Sequence, residues 1–204
     1  GNLGTGLVIL SSNTSILLVT GTFTTPFRTV QLANAATEIN VSSSNTWTMS
    51  GVVSGTGGFI KSGTGTLVLT ATNTYGSTNG TTTINAGTIS VSSEPNLGNV
   101  NRPLTLAGGT LASTGTFSIS SGTRTVNTTS SASGIDVSSG QTLTIGKDVS
   151  GSGAITKTNS GTLTFSVASS YTGGTTITTG TVALTGSGAL AAAGAVVANG
   201  TFDV

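Results

Sequence analysis

The chain has 204 residues, 5% of them charged, a net charge of +1, and neither cysteine nor histidine. Clustered Lys and Arg for an electrostatic nucleic-acid surface are missing, as are disulfides, zinc-thiolate sites, thiol catalysis and imidazole bases. The six cations, Arg28, Lys61, Arg102, Arg124, Lys147 and Lys157, are scattered. Apolar residues make up 35% of the chain and recur in order, which argues against disorder. The longest apolar stretch, Ala189–Ala198, is broken by Gly194 and falls short of the roughly 20 residues of a spanning helix.

Taken in chain order, the predicted elements are short strands. Thr66-Leu67-Val68-Leu69-Thr70, Thr88-Ile89-Ser90-Val91, Leu104-Thr105-Leu106, Phe117-Ser118-Ile119, Ile135-Asp136-Val137, Leu143-Thr144-Ile145 and Leu163-Thr164-Phe165 alternate with a period of two. Such segments put aliphatics on one face and hydroxyls on the other. Branching at Cβ favours the pleated conformation, and Gly, Ser and Asn between the segments form turns. Ala189–Ala198 is ambiguous, because Ala favours helix while Gly194 and Val196-Val197 do not.

The segments repeat. Leu67, Leu69 and Tyr75 match Leu163, Phe165 and Tyr171 at an offset of 96, as do Arg28 with Arg124 and Lys61 with Lys157. The offset is 94 from Leu3-Gly4 to Gly21-Thr22-Phe23, and drops to 93 after Tyr75, where the first copy has three extra residues. Two units, about 3–96 and 97–189, are followed by a partial third over 190–204, which opens at Leu190 and reaches Gly200-Thr201-Phe202. A fixed long period implies one stacked architecture over 1–204 with insertions in loops, here read as a piece of a longer stack. Inward segments beginning at Phe117, Val126, Ile135 and Leu143 are 8 or 9 residues apart, so three faces give coils of roughly two dozen residues and about four coils per unit. The expected fold is an all-β solenoid whose coils pair in parallel, since sandwich strands pair within a domain and need no such period.

Gly153-Ala154-Ile155-Thr156-Lys157, Gly161-Thr162-Leu163-Thr164-Phe165, Tyr171-Thr172-Gly173 and Gly180-Thr181-Val182 resemble the passenger-associated repeat of bacterial autotransporters. The stretch Gly57–Val91 matches too, through Lys61, Gly65-Thr66-Leu67, Asn73-Thr74-Tyr75 and Gly87-Thr88-Ile89. The second copy departs at Asn159, in place of Gly63, and at Ser169-Ser170, in place of Asn73-Thr74. The resemblance implies a right-handed parallel β-helix on a Gram-negative surface, exported with a C-terminal β-barrel absent from this sequence. It implies a structural and adhesive stalk that aids its own export and folding. Its partners would be host-cell or neighbouring-cell surface molecules, glycans among them, with self-association through coil edges as an alternative.

No residue is nominated as catalytic, metal-binding or cofactor-binding. A polysaccharide-acting β-helix enzyme, the competing reading, needs facing carboxylates, and the spacing of Glu38, Glu94, Asp136, Asp148 and Asp203 does not demand that; all five read as solvated. Lys61 and Lys157 read as lysines with stems on the coil surface and wet heads. Tyr75 and Tyr171 read as turn braces, and Trp47, in place of Leu143, as core. Thr81-Thr82-Thr83 and Thr175-Thr176 raise an outward threonine array. Gly151–Thr158 mimics a phosphate loop, but Thr156 stands where Gly is required and a strand follows.

Overall fold

A computed structural model describes residues 6–204; Leu3 to Thr5 of the opening unit lie outside them. The chain winds as a β-solenoid of about nine turns, with about 22 residues in each. The first coil carries β1 (Val8–Leu10), β2 (Ile16–Val19) and β3 (Phe23–Thr25), one strand on each of three faces. The second and third coils follow as β4 (Val30–Leu32), β5 (Thr37–Val41), β6 (Thr46–Met49), β7 (Val53–Ser54), β8 (Phe59–Ser62) and β9 (Thr66–Leu69).

The fourth coil has no strand on the first face; the Asn73–Tyr75 segment passes there before β10 (Thr82–Ile84) and β11 (Thr88–Val91). A one-turn 3-10 helix, Glu94–Leu97, occupies that face in the fifth coil, ahead of β12 (Leu104–Leu106) and β13 (Thr110–Ser113). Strands return with β14 (Phe117–Ile119), β15 (Val126–Thr128), β16 (Gly134–Val137), β17 (Thr142–Ile145), β18 (Val149–Ser150), β19 (Ile155–Thr158) and β20 (Thr162–Phe165). The chain closes with β21 (Thr175–Ile177), β22 (Thr181–Leu184), β23 (Val196–Ala198) and β24 (Thr201–Asp203).

Every strand pair is parallel, and each strand bonds its equivalents one coil before and after. Two faces are unbroken sheets of seven and nine strands, while the first is split into β1-β4-β7 and β14-β17-β20-β22-β24 around the Asn73 segment and the 3-10 helix. Inward residues stack in columns, such as Trp47, Leu67, Ile89, Leu111 and Ile135, all essentially inaccessible. Each such side chain contributes roughly 1.5–3 kcal/mol of transfer free energy, which only a stack of coils can accumulate against chain entropy.

Strands β1–β11 map one to one onto β12–β22, yet a unit does not close on itself. Adding the Asn73 segment and the 3-10 helix, each unit makes thirteen passes over a three-faced prism, which is four coils and one third. Equivalent residues therefore land on different faces: Lys61 on β8 belongs to the seven-stranded sheet, Lys157 on β19 to the nine-stranded one. The expected two dozen residues per coil came from the widest one. Phe117 pairs with Leu143, 26 residues on, whereas Thr162 pairs with Thr181 after 19.

Ala189–Ala198 contains no helix: Ala189 bridges Ala168, and Val196–Ala198 is β23. Pairing also sets the register of the third unit. Thr201–Asp203 lies against β22 as Thr110–Ser113 lies against β11, so Gly200-Thr201-Phe202 corresponds in position to Gly109-Thr110-Leu111.

Candidate functional site

The recurrent lysines and tyrosines are inside the solenoid. Lys61 and Lys157 are fully buried, which corrects the expectation of surface lysines with wet heads. Each occupies an inward position in an aliphatic column, Lys61 between Ile39 and Ile84, Lys157 between Ile135 and Ile177. The stem packs in the core and the ammonium reaches the turn that follows. Lys61 Nζ donates to the carbonyls of Ser62 (2.7 Å), Gly63 (2.8 Å) and, one coil on, Ala86 (3.2 Å). Lys157 Nζ repeats this with Thr158 (2.7 Å), Asn159 (2.6 Å) and Thr179 (3.4 Å). An ammonium has three donors and no acceptor, so three carbonyls satisfy it. Burial lowers the Lys61 pKa from 10.5 to about 8. It lowers that of Lys157 too, with Asp136 opposing.

The turn around each ammonium requires glycine. Gly87 and Gly180 have φ of +64° and +72°, and a Cβ at either would lie 2.9 Å from the lysine Nζ and closer still to carbonyl oxygens. The first turn residue, Gly63 or Asn159, is likewise left-handed, and Asn is among the few side chains that tolerate this region.

Tyr75 and Tyr171 are also buried, and each shares a hydrogen bond with a threonine of its own unit, Thr82 at 2.9 Å and Thr175. Burial pushes the Tyr75 phenol up to about 12 and raises that of Tyr171. Thr82 and Thr175 point inward, while Thr83 and Thr176 of the same runs face outward beside Thr105 and Thr156 of neighbouring coils. Trp47 is core, as its alignment with Leu143 implied; its indole donates to Thr25 Oγ1 at 3.2 Å.

Where the first face loses its strands, side-chain amides replace the ladder. Asn73 Oδ1 accepts from the Val53 amide (2.7 Å) and its Nδ2 donates to the Asn96 carbonyl (2.6 Å). Asn96 Oδ1 accepts from the Ser92 and Ser93 amides, and its Nδ2 donates back to Ala71. Beside them the Arg124 guanidinium donates to the carbonyls of Leu97, Gly98, Asn99 and Arg102 at 3.1–3.3 Å. Its Nε lies 3.7 Å from Glu94 Oε1, both side chains being buried. Desolvation lowers the Arg124 pKa, opposed by the charges of Tyr75 and Glu94. Glu94 is only 6% exposed, which corrects its reading as a solvated acid: the 3-10 helix turns it under the next unit, against the arginine.

The other acids are dispersed. Glu38 accepts from Asn40 and Ser62 on the seven-stranded sheet, Asp136 from Thr158 and Asn159 on the nine-stranded one, and Asp148 from Ser170. Among the described residues no three of His, Cys, Asp and Glu cluster as metal ligands would, and no helix is long and apolar enough to cross a membrane.

Sequence reasoning missed the burial of Lys61, Lys157, Glu94 and Arg124. A signal existed for the lysines: Phe59 and Lys61, or Ile155 and Lys157, share strand parity, so an inward aromatic or aliphatic fixes an inward lysine.

The recurrent lysines and tyrosines are thus used inside the solenoid. Residues 59–91 and 155–184, the segments that hold the buried lysines, match the passenger-associated-transport-repeat. It is similar to the adhesin BmaC autotransporter of Brucella suis biovar 1 (strain 1330), with 39% identity over 111 residues. That match covers 54% of this chain and 3% of the much longer adhesin. No solved structure matches the chain. Autotransporter adhesin passenger relatives are exposed at, or secreted from, the outer membrane.

Proposed function

We propose that this segment is a stalk of an autotransporter passenger, which holds adhesive surface away from the cell and stiffens during export. Nine coils at roughly 4.8 Å each would give about 43 Å of rod. The observation that carries the reading is the one-third-coil advance of each unit. It moves every repeated element to a new face, so what recurs usefully is the interior, which is blind to face. Inward Leu67, Leu69, Lys61 and Tyr75 have counterparts in the second unit, whereas the outward acids do not recur, as Glu38 to Gly134 and Asn40 to Asp136 show. Contacts with host or neighbouring cells would then come from outward residues peculiar to one coil or another.

The test is display of the chain from a bacterial surface through a transport barrel, with an epitope at its N-terminal end. The expected result is an accessible epitope on a protease-resistant rod, and adherence that falls when outward residues are replaced by Ser while display persists. A protease-sensitive chain, or adherence indifferent to every outward residue, would overturn the reading.

A further inference from the structure

The groove at the corner between the first and second faces, across coils one to four, belongs to one unit alone. Its floor is made by the short corner turns of the second and third coils, where Ala33, Ala35 and Gly57 leave little side chain. Its walls are the longer turns on either side, carrying Asn13 in the first coil and Thr78 and Asn79 in the fourth. The fourth-coil wall is the three-residue insertion after Tyr75, Ser77-Thr78-Asn79, which the second unit lacks: Gly76-Gly80 there becomes Thr172-Gly173. The groove is open to solvent and holds a space of about 290 Å³, just below the usual size of ligand pockets.

The insertion is held in place rather than loose. Arg102 reaches back from the fifth coil to donate to the carbonyls of Gly76 (2.8 Å) and Ser77 (3.3 Å). The Asn79 amide donates to the Thr56 carbonyl at 3.0 Å, and the Gly76 amide to that of Gly57 at 2.8 Å. A pre-organised wall spares a ligand the ordering cost of a mobile loop. The unit that lacks the insertion still makes its coil, with Tyr171 and Lys157 in place; the insertion is therefore surplus to the fold.

The lining is uncharged, and its polar groups are amides and hydroxyls. Asn34 uses its Nδ2 on the Ser11 carbonyl, which leaves its Oδ1 as an acceptor. Thr56 Oγ1 donates to the Ala33 carbonyl at 3.1 Å and keeps its lone pairs. Asn13 and Asn79 make no side-chain hydrogen bond to the described residues, and each offers two donors and an acceptor. These groups climb the corner one coil at a time, about 4.8 Å apart. Paired donors and acceptors without charge match vicinal hydroxyls; they give a carboxylate or an ammonium no counter-ion.

We propose that this groove binds a neutral saccharide of one or two sugar units, held by the side chains of Asn13, Asn34, Thr56 and Asn79. The proposal rests on the surface-contact part of the reading above and can fail without it. The test is amide NMR of the whole chain, titrated with neutral disaccharides of glucose, galactose and N-acetylglucosamine, with glucuronic acid and a Ser/Gly peptide as controls. Shifts confined to the four coil corners with at least one neutral sugar are expected. Deleting residues 77–79 shortens the turn to the length of the second unit; this, or Asn79→Ala, is expected to weaken binding by about tenfold or more, the loss of one or two hydrogen bonds. Thermal unfolding and surface display of the deletion variant are expected to match the parent. No shift with any neutral sugar, equal shifts after the deletion, or a response to the acid or peptide alone would overturn the site; the stalk reading would stand if display is intact.

Discussion

The two units end differently, although they are built alike. The first passes into the second through a buried polar joint: Asn73 and Asn96 exchange hydrogen bonds with the backbone, and Glu94 faces Arg124 across the boundary. At the end of the second unit Ser169 stands for Asn73 and Ala189 for Asn96. Ser169 Oγ is buried without a partner, and the coil is closed by the Ser169 amide to the Ala189 carbonyl (3.0 Å) and the single bridge from Ala168 to Ala189. The lysine cages, by contrast, are the same in both. The comparison separates what a coil needs from what a boundary adds: each unit keeps its cage, and only one boundary is pinned. Local opening is expected to begin at the second joint, since stability in such stacks is a sum of neighbour terms.

The largest effect is expected from breaking the pinned joint. Arg124→Met keeps the stem's bulk but strands the buried Glu94 and four carbonyls, and losing one partner of a buried pair costs roughly 3–5 kcal/mol. Denaturant unfolding of the variant measures it. A loss under about 1 kcal/mol would mean that the boundary is held by apolar stacking alone.

A smaller loss is expected from Asn73→Ser, which copies the second joint into the first. The Val53 amide and the Asn96 carbonyl lose their partner, at a cost of roughly 1–3 kcal/mol. Amide exchange resolved by residue should then show the two joints opening at similar free energies. If the first joint stays slower by its full original margin, Asn73 is not what distinguishes them.

The cages predict symmetry in mutation and asymmetry in pH. Lys61→Met and Lys157→Met each leave three carbonyls facing the core and are expected to cost about 1–3 kcal/mol. Burial lowers the Lys61 pKa to about 8 against 10.5 in an open chain. Between those values the unfolded chain holds the proton that the folded chain has shed, so stability rises with pH through that window. Below pH 8 both states are protonated and the group contributes no slope. The buried tyrosines reverse the sign above pH 10, where unfolded phenols ionise first. Unfolding midpoints at pH 7.5 and pH 9.5 should therefore rise for the parent and rise less for Lys61→Met. Asn40→Asp, which supplies the acid that Asp136 provides in the second unit, should flatten the rise.

Much of this was legible in the sequence. Alternation in segments such as Leu104–Leu106 placed the inward columns, and the offset of 94 to 96 placed the units. The extra third of a coil was not legible, because it depends on where Asn73–Tyr75 and Glu94–Leu97 pass without making strands. Burial of Glu94 and Arg124 was hidden for a similar reason: the two are 30 residues apart and meet only through the stacking of one coil on the next. The groove had a partial trace, the three residues after Tyr75, but its floor of Ala33, Ala35 and Gly57 comes from other coils. Period-two patterns report which way a side chain points along its own strand; they do not report what the neighbouring coil sets against it.

The smallest effect runs in the opposite direction. Ser169→Asn would return to the second joint the amide that the first one has. Its Nδ2 could use the second lone pair of the Ala189 carbonyl, which the Ser169 amide already occupies once. The change removes a buried hydroxyl that has no partner. A gain of about 0.5–1.5 kcal/mol is expected, the net worth of one hydrogen bond, together with slower amide exchange from Ala168 to Tyr171. It should be seen only there, because the pinned joint lies more than three coils away. A gain spread over both joints would show that the coils communicate along the stack, and the contrast between the two boundaries would then be one of degree set by the whole column. A loss would show that the backbone near Ala168 has settled on a shorter side chain, and that the second boundary is a different solution rather than a weakened copy.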